Sequence, residues 1–269
     1  PGGNASQDVS TSMGSFFRID PTGDDFAGDA LNNFAVSEDN PDWGKDAYPG
    51  VVARGLRNPF KMAFDSVTGR FLIADVGDKR REEINAYSFD PDRLANYGWP
   101  RFEGALDSDT TSPLPGEHVL PLHSYALVDG TFGQSVTGGF VYRGPFDALN
   151  GQYLFGDFQF VGYTQPGSSP IFSFDGALET VSDADVTQWS LGFLPGEGGL
   201  ESVISFSTDG VGGLYLGDLN GSLFEVVGVS AEVPLPASLL LLISGLSVIA
   251  AGGRYRATHT GPSGQTKLA

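Results

Sequence analysis

The chain contains 269 residues with a formal net charge of -18, and it has 38 glycines, 20 phenylalanines and no cysteine. The excess of acids argues against a nucleic-acid partner, because phosphate binding needs basic residues. The absence of cysteine excludes disulfides and thiolate metal sites. Many glycines and aromatic residues indicate short strands joined by tight turns. Acid-rich loops can supply oxygen ligands to calcium, although a solvated acidic surface explains the same composition.

The first informative segments are a strand and a stiff loop. The stretch from Ser15 to Pro21 is the one clear strand among the first 60 residues, which are otherwise rich in loops. In GLRNPFKMAFD, Pro59 fixes its own φ and pushes Asn58 toward extended backbone. A rigid corner therefore presents Arg57 and Asn58 just before a strand. The corner either aims a guanidinium into a site or is an ordinary surface loop, and the residues alone leave both interpretations open.

Three segments further along the chain share one pattern. They are GRFLIAD (Gly69 to Asp75), GQYLFGD (Gly151 to Asp157) and GGLYLGD (Gly212 to Asp218). A continuous apolar run bounded by turn residues suits a strand that is covered on both faces. The recurrences are 82 and 61 residues apart, which fits propeller blades with insertions better than a solenoid. A sandwich also repeats strands, so this pattern favours a propeller without deciding for it.

The C-terminal part has a different composition. Residues 237–253 form an uncharged, mostly apolar run of 17 residues, preceded by two prolines and followed by Arg254 and Arg256. This length is at the lower limit for a helix that spans the membrane. Flanking arginines favour the cytoplasmic side, which would put the preceding residues outside the cytoplasm. A buried core helix is the alternative, although such a helix normally shows a polar face.

The same segment, VPLPASLLLLISGLSVIAAGGRYR, resembles the PEP-CTERM class of bacterial sorting signals in its V-P-L-P-A variant. The resemblance implies an exported protein that is at least transiently anchored in the membrane through residues 237–253. The polar tail after the arginines is longer than the resemblance leads us to expect. We therefore predict two parts, a soluble domain over residues 1–228 and a sorting segment with a hydrophobic helix over residues 229–269.

A second resemblance rests on a succession of motifs. QDVSTSMGSFFRIDP, SEDNP, GLRNPFKMAFD, IADVGDKRREEIN, NYGWPRFEG, SVTGGFVYRG and GQYLFGD occur in the order seen in the glucose/sorbosone dehydrogenase family. The similarity runs from Asn4 to Val227. It implies an all-β, six-bladed β-propeller that is N-terminally incomplete here. It also implies oxidation of a sugar at C1 with pyrroloquinoline quinone (PQQ) and calcium.

The resemblance assigns roles to residues of this sequence. Arg57 corresponds to the catalytic arginine beside the sugar and the quinone carbonyl, and Asn58 corresponds to an amide that contacts the cofactor. The main-chain carbonyls of Gly77 and Asp78 are the candidate calcium ligands. Two acids that follow in VGDKRREE, Glu82 and Glu83, are either outer-shell acids or surface partners of the neighbouring basic residues, and we expect the surface pairs.

The sequence departs from the family pattern at several positions. The family's general base is a histidine upstream of the matching motifs, and the histidines of this chain, His118, His123 and His259, lie outside that motif; His123 is expected to order a loop. Where quinone-binding members carry a lysine and an arginine pair, our alignment sets Phe160, Gly199 and Glu201. No lysine or arginine occurs between Arg143 and Arg254, a gap of 110 residues. Burying the carboxylates of PQQ without cationic partners costs several kcal/mol each.

Two functions therefore remain in competition. The first is an exported PQQ-dependent aldose dehydrogenase, and the second is a non-catalytic propeller that binds a glycan or a protein at the cell surface. The second would use aromatic residues such as Trp43, Trp99 and Phe160, although the Trp99 indole is expected to serve packing. A metal-assisted hydrolase has weak support, because no histidine and carboxylate cluster at ligand spacing is present.

Overall fold

The computed structural model describes residues 4–107, 111–127, 135–158, 171–189, 200 and 202–229. Contacts divide the chain into two units, Pro1–Ser230 and Ala231–Ala269, and every described residue lies in the first. The hydrophobic segment 237–253 and the sorting segment lie outside the described residues, and both stay predictions. Within the described ranges, no helix combines the length and the apolar character needed to cross a bilayer.

The described part of the chain is built from short strands and two 3₁₀ turns, Asn4–Gln7 and Asp183–Asp185. In chain order the strands are β1 (Phe16–Phe17), β2 (Ile19–Asp20), β3 (Ala35–Val36), β4 (Val51–Arg54), β5 (Pro59–Asp65), β6 (Arg70–Asp75), β7 (Arg81–Ser88), β8 (Ala95–Asn96), β9 (Phe102–Glu103), β10 (Leu106–Asp107), β11 (Glu117–His118), β12 (His123–Ala126), β13 (Val136–Val141), β14 (Gln152–Asp157), β15 (Ile171–Asp175), β16 (Thr187–Gln188), β17 (Val203–Thr208), β18 (Leu214–Asp218) and β19 (Leu223–Val226).

The predicted strand from Ser15 to Pro21 is two strands in different sheets. Strand β1 pairs with β4, whereas β2 forms a small hairpin with β3. The chain changes direction at Arg18, whose N–H donates to the carbonyl of Gly50 and whose guanidinium pairs with Asp39. The prediction of one continuous strand is therefore wrong, because tertiary contacts at Arg18 divide it.

The described residues form four larger sheets in addition to the two-stranded pairs β2–β3 and β9–β10. The first has the order β1-β4-β8-β11 and contains the parallel pairs β4–β8 and β8–β11. The other three are antiparallel, with the orders β5-β6-β7-β12, β13-β14-β15-β16 and β17-β18-β19. We number them sheets one to four. Strand β13 contacts both β5 and β17, so the first strands of sheets two, three and four are neighbours.

The core lies in layers between successive sheets, as it does in a propeller. Sheets one and two enclose one apolar cluster, sheets two and three a second, and sheets three and four a third. Strand β6 shows why: Ile73 joins the first cluster, while Leu72 and Ala74 join the second. Alternate residues of a strand point to opposite faces, so a continuous apolar run is buried on both. The predicted all-β propeller fold is confirmed, and four stacked sheets exclude a two-sheet sandwich.

The three repeated segments form the second strands of sheets two, three and four. Their final aspartates, Asp75, Asp157 and Asp218, each accept a backbone N–H at or just before the first strand of the same sheet. The register shifts at the same place in all three sheets, just after the residue paired with the aspartate. In each of these three sheets, the aspartate that ends the repeat therefore caps the start of the first strand through a backbone hydrogen bond.

Candidate functional site

The Arg57 corner is attached to sheet two through Asp75. The Arg57 N–H donates to Oδ2 of Asp75 at 2.9 Å, and the Asn58 N–H donates to Oδ1 at 2.6 Å. The chain enters the corner at Gly55, whose φ is +80°. A Cβ at Gly55 would lie 2.1 Å from Oδ1 of Asn96, so only glycine lets the two segments approach this closely. The backbone of the corner is thus fixed from both sides.

The guanidinium of Arg57 is bound by the loop that follows β6. Its Nη1 donates to the carbonyl oxygens of Val76 at 3.0 Å and Gly77 at 2.5 Å, and its Nη2 donates to Oδ1 of Asp78 at 2.9 Å. The Trp99 ring centroid lies 5.4 Å from Cζ of Arg57. The side chain remains 26% exposed. The corner therefore delivers a fixed, half-buried positive charge with one accessible side.

The structure brings the predicted site residues together. Arg57, Gly77 and Asp78 are in direct contact, and the carbonyl of Asn58 accepts the Val76 N–H at 3.1 Å. The Asn58 side chain is exposed beside them. Trp99 is expected from the sequence to serve packing, and its ring packs against the Arg57 guanidinium. The Phe160, Gly199 and Glu201 positions and His259 lie outside the described residues.

Buried carboxylates surround this end of sheet two. Burial raises the pKa of Asp75 to about 6, of Glu82 to about 7, of Glu83 to about 8 and of Asp157 to about 6. Neighbouring negative charge adds to the shift at Glu82 and Glu83. The expected surface pairs of these two glutamates are wrong, since Glu82 is 0% and Glu83 is 7% exposed. Consecutive strand residues point to opposite faces, and both faces of β7 are covered here.

The two described histidines are packed rather than placed beside Arg57. His118 stacks on Phe102 with ring centroids 4.0 Å apart. His123 is buried, and its Nδ1 lies 3.2 Å from the carbonyl of Val181. Burial lowers the pKa of both rings. The contact with Val181 agrees with the expectation that His123 orders a loop.

Comparison with known proteins shows the family to which this sequence belongs. The family described as Glucose / Sorbosone dehydrogenase matches residues 3–161, more than half of the chain. The chain belongs to the glucose/sorbosone dehydrogenase family. Among curated proteins it is similar to the HIPL1 protein of Arabidopsis thaliana, with 30% identity over 83% of this chain and 35% of that protein. The HIPL2 protein of the same plant is 33% identical over 46% of this chain and 19% of that protein.

Two solved structures share the fold of this chain. A glucose dehydrogenase matches with a TM-score of 0.55 and 22% identity, over 84% of this chain and 57% of that chain. The soluble aldose sugar dehydrogenase of Escherichia coli in its apo form matches with a TM-score of 0.51 and 17% identity, over 79% of this chain and 53% of that chain. The chain thus spans a little over half of these enzymes and about a third of HIPL1.

The candidate calcium ligands are oxygens that fit the ion in kind. Calcium prefers carbonyl and carboxylate oxygens, and the predicted ligands are the main-chain carbonyls of Gly77 and Asp78. The Gly77 carbonyl and the Asp78 carboxylate accept hydrogen bonds from Arg57. Among the described side chains, no group of three or more histidines and carboxylates is placed to hold a metal. The calcium assignment stays a prediction.

The described residues do not fit a multiply anionic quinone such as PQQ. Arg57 donates three hydrogen bonds to protein oxygens and keeps two of its five N–H groups, and the half-buried Lys61 donates from Nζ to the carbonyl of Phe206 at 3.0 Å. Glu82 and Glu83 are acids whose pKa burial raises to about 7 and about 8, so they supply no cationic partner in the same region. Among the described residues, Arg54 is a fully buried cation whose guanidinium nitrogens make no hydrogen bond, and it packs on Trp43. The sequence adds no lysine or arginine between Arg143 and Arg254, so a quinone with several carboxylates has too few buried cationic partners in the part of the chain that is described.

Proposed function

We propose that this chain forms part of a sugar dehydrogenase that oxidises an aldose at C1. One observation carries the proposal: Arg57 is held at its backbone by Asp75 and at its guanidinium by Val76, Gly77 and Asp78, and its side chain is still 26% exposed. Membership of the family supports the reaction class, and the geometry supports a fixed positive charge that a polar substrate can reach.

The chemistry of the reaction needs such a charge. Oxidation of an aldose at C1 transfers a hydride from the carbon to an oxidant and the proton of the hydroxyl to a base, which yields a lactone and leaves negative charge on the reduced oxidant. A guanidinium that is already in position stabilises this charge without reorganisation. The family resemblance puts the general base upstream of the matching motifs. The role proposed for this chain is therefore substrate orientation and charge stabilisation by Arg57.

The test compares Arg57→Lys with wild type in the full-length protein supplied with calcium and PQQ. With aldoses as substrates and a dye as electron acceptor, we expect kcat to fall by about 10²–10³-fold, as on removal of a preorganised donor. Lysine keeps the charge but not the planar set of donors. The matched control is Arg93→Lys, because Arg93 forms a surface pair with Glu117. A wild-type protein that reduces no dye would contradict the proposal, as would an Arg57 variant with full activity.

A non-catalytic carbohydrate-binding propeller is the second candidate. The absence of lysine and arginine between Arg143 and Arg254 favours it, because an anionic cofactor needs cationic partners when it is buried. This function predicts glycan binding that calorimetry detects without PQQ and that Trp99→Ala weakens. Sugar binding combined with no dye reduction under any cofactor condition would decide for this candidate.

We also propose that the protein is exported and anchored through residues 237–253. The apolar run between two prolines and two arginines supports this location. A variant that lacks residues 229–269 should be absent from the membrane fraction, while the complete chain should be found in it. Equal distribution of the two proteins would contradict the proposal.

A further inference from the structure

The loop that binds Arg57 is itself bound by one buried carboxylate. Glu103 lies on β9 and is 3% exposed. Its Oε1 accepts four consecutive backbone N–H groups, those of Asp78, Lys79, Arg80 and Arg81, at 2.8, 2.9, 2.9 and 3.2 Å. Successive N–H groups that converge in this way form an anion-binding nest. A side chain of the same protein fills this nest.

The fit between Glu103 and the loop is close. A Cβ on Gly77 would lie 3.0 Å from Oε1 of Glu103 and 1.7 Å from the carbonyl oxygen of Arg81. The hairpin that carries Glu103 is held from the other side, because the Gly104 N–H donates to Oε1 of Glu83 at 2.5 Å. Glu103 is therefore held at two points, through the neighbouring backbone N–H of Gly104 and through its own carboxylate oxygen.

The segment that contains Trp99 and Glu103 acts on Arg57 in two ways, once directly and once through the loop. Trp99 lies directly against the guanidinium, and Glu103, four residues later, holds the loop whose oxygens accept its hydrogen bonds. Hydrogen bonds to an ionised acceptor are shorter and stronger than neutral ones. Loss of this acceptor would leave four N–H groups at the base of the loop without a partner, and the carbonyl of Gly77 would lose its fixed position.

We propose that Glu103 is a positioning residue that holds the Arg57 guanidinium in place through residues 77–81. The proposal rests on the proposed function only for its effect on turnover, since the effect on Arg57 itself is independent of activity. Glu103 lies in the hairpin β9–β10 and would act on the Arg57 guanidinium through the loop formed by residues 77–81.

The test uses Glu103→Leu, which removes the acceptor, and Glu103→Gln, which keeps an oxygen at the same distance from the backbone. We expect hydrogen exchange of the amides of residues 78–81 to be slow in wild type, faster in Glu103→Gln and fastest in Glu103→Leu. Modification of Arg57 by phenylglyoxal, followed by mass spectrometry, should accelerate in the same order. Arg93 in the same molecules is the internal control, and Glu179→Gln, at a side chain that is 91% exposed, is the control variant.

In the full-length protein with calcium and PQQ, Glu103→Leu should lower kcat by about 10–100-fold with little change in KM, because a small displacement of a catalytic group acts on the transition state. If exchange and Arg57 modification match wild type in both variants, the proposal is wrong. Faster exchange with unchanged Arg57 modification would also overturn it, because Glu103 would then hold only the loop. A wild-type protein without turnover would contradict the proposed function, while the Arg57 modification rates would still decide the role of Glu103. If Glu103→Leu does not fold, Glu103→Gln carries the test.

Discussion

Asp75 accepts the backbone N–H groups of Arg57 and Asn58 with its two carboxylate oxygens, at 2.9 and 2.6 Å. The equivalent aspartates accept the N–H of Ser135 at 3.0 Å in sheet three and of Ser202 at 2.9 Å in sheet four. A cap that recurs in every repeated blade is thus a structural element. Only in sheet two does it also carry a candidate catalytic side chain.

Replacement of these aspartates should separate the structural role of the cap from its role in holding Arg57. An asparagine can accept with only one of its two terminal atoms, so Asp75→Asn leaves one N–H facing an amide nitrogen. We expect Asp75→Asn and Asp218→Asn each to lower the free energy of unfolding by about 1–3 kcal/mol. Only Asp75→Asn should also lower kcat in the full-length enzyme. Urea unfolding and dye reduction measure the two effects, and an equal loss of activity in Asp218→Asn would argue against the distinction.

Gly77→Ala should disrupt the loop that binds Arg57. The added Cβ would meet the carbonyl oxygen of Arg81 at 1.7 Å, so the backbone must move and the Glu103 bonds must lengthen. We expect faster hydrogen exchange at residues 78–81 and reduced dye reduction. The control is Gly210→Ala, because a Cβ at Gly210 meets no atom within 4 Å. Wild-type exchange in Gly77→Ala would show that the loop accommodates the methyl group.

Arg70 joins sheet two to the segment that follows β15. It is 4% exposed and donates from Nη2 to the carbonyls of Gly176 and Leu178, while Nη1 lies 3.4 Å from Oε1 of Glu179. Arg70→Met leaves both carbonyls without this donor, and we expect a loss of about 3 kcal/mol in the free energy of unfolding. Glu179→Gln should change it by less than about 1 kcal/mol, since the Glu179 side chain is 91% exposed. Comparable losses in the two variants would contradict this assignment.

The buried acids should make the protein less stable as pH rises. Burial, followed by the charge of Asp75, raises the pKa of Glu83 from 4.5 to about 8. The folded state therefore holds this proton more tightly than the unfolded state. Its contribution is complete below pH 4.5 and is lost as pH rises through about 8. The slope from this group is at most about 1.4 kcal/mol per pH unit.

Glu83→Gln removes this titration. We expect the decline in melting temperature between pH 5 and pH 8 to be shallower in the variant than in wild type, with thermal unfolding followed by circular dichroism. Glu82, whose pKa is raised to about 7, and Asp75 and Asp157, whose pKa values are raised to about 6, retain a slope in both proteins. Identical pH profiles would show that Glu83 does not titrate in this window.

The sequence by itself determined the local features. Apolar runs that end in aspartate were recognisable as strands covered on both faces, and the rigid corner at Pro59 predicted that Arg57 lies just before a strand. These features depend on residues close together in the chain, because side-chain alternation and proline geometry act over a few positions. The order of motifs then predicted the family and the propeller.

Only the tertiary structure decided which groups meet. Glu82 and Glu83 look like surface acids beside three basic residues, and they are buried because neighbouring sheets cover both faces of β7. Glu103 binds amides 22 to 25 residues earlier in the chain, and Trp99 reaches Arg57 from a turn 42 residues later. Burial and long-range hydrogen bonds depend on how separate sheets pack, and no spacing along the chain encodes that packing.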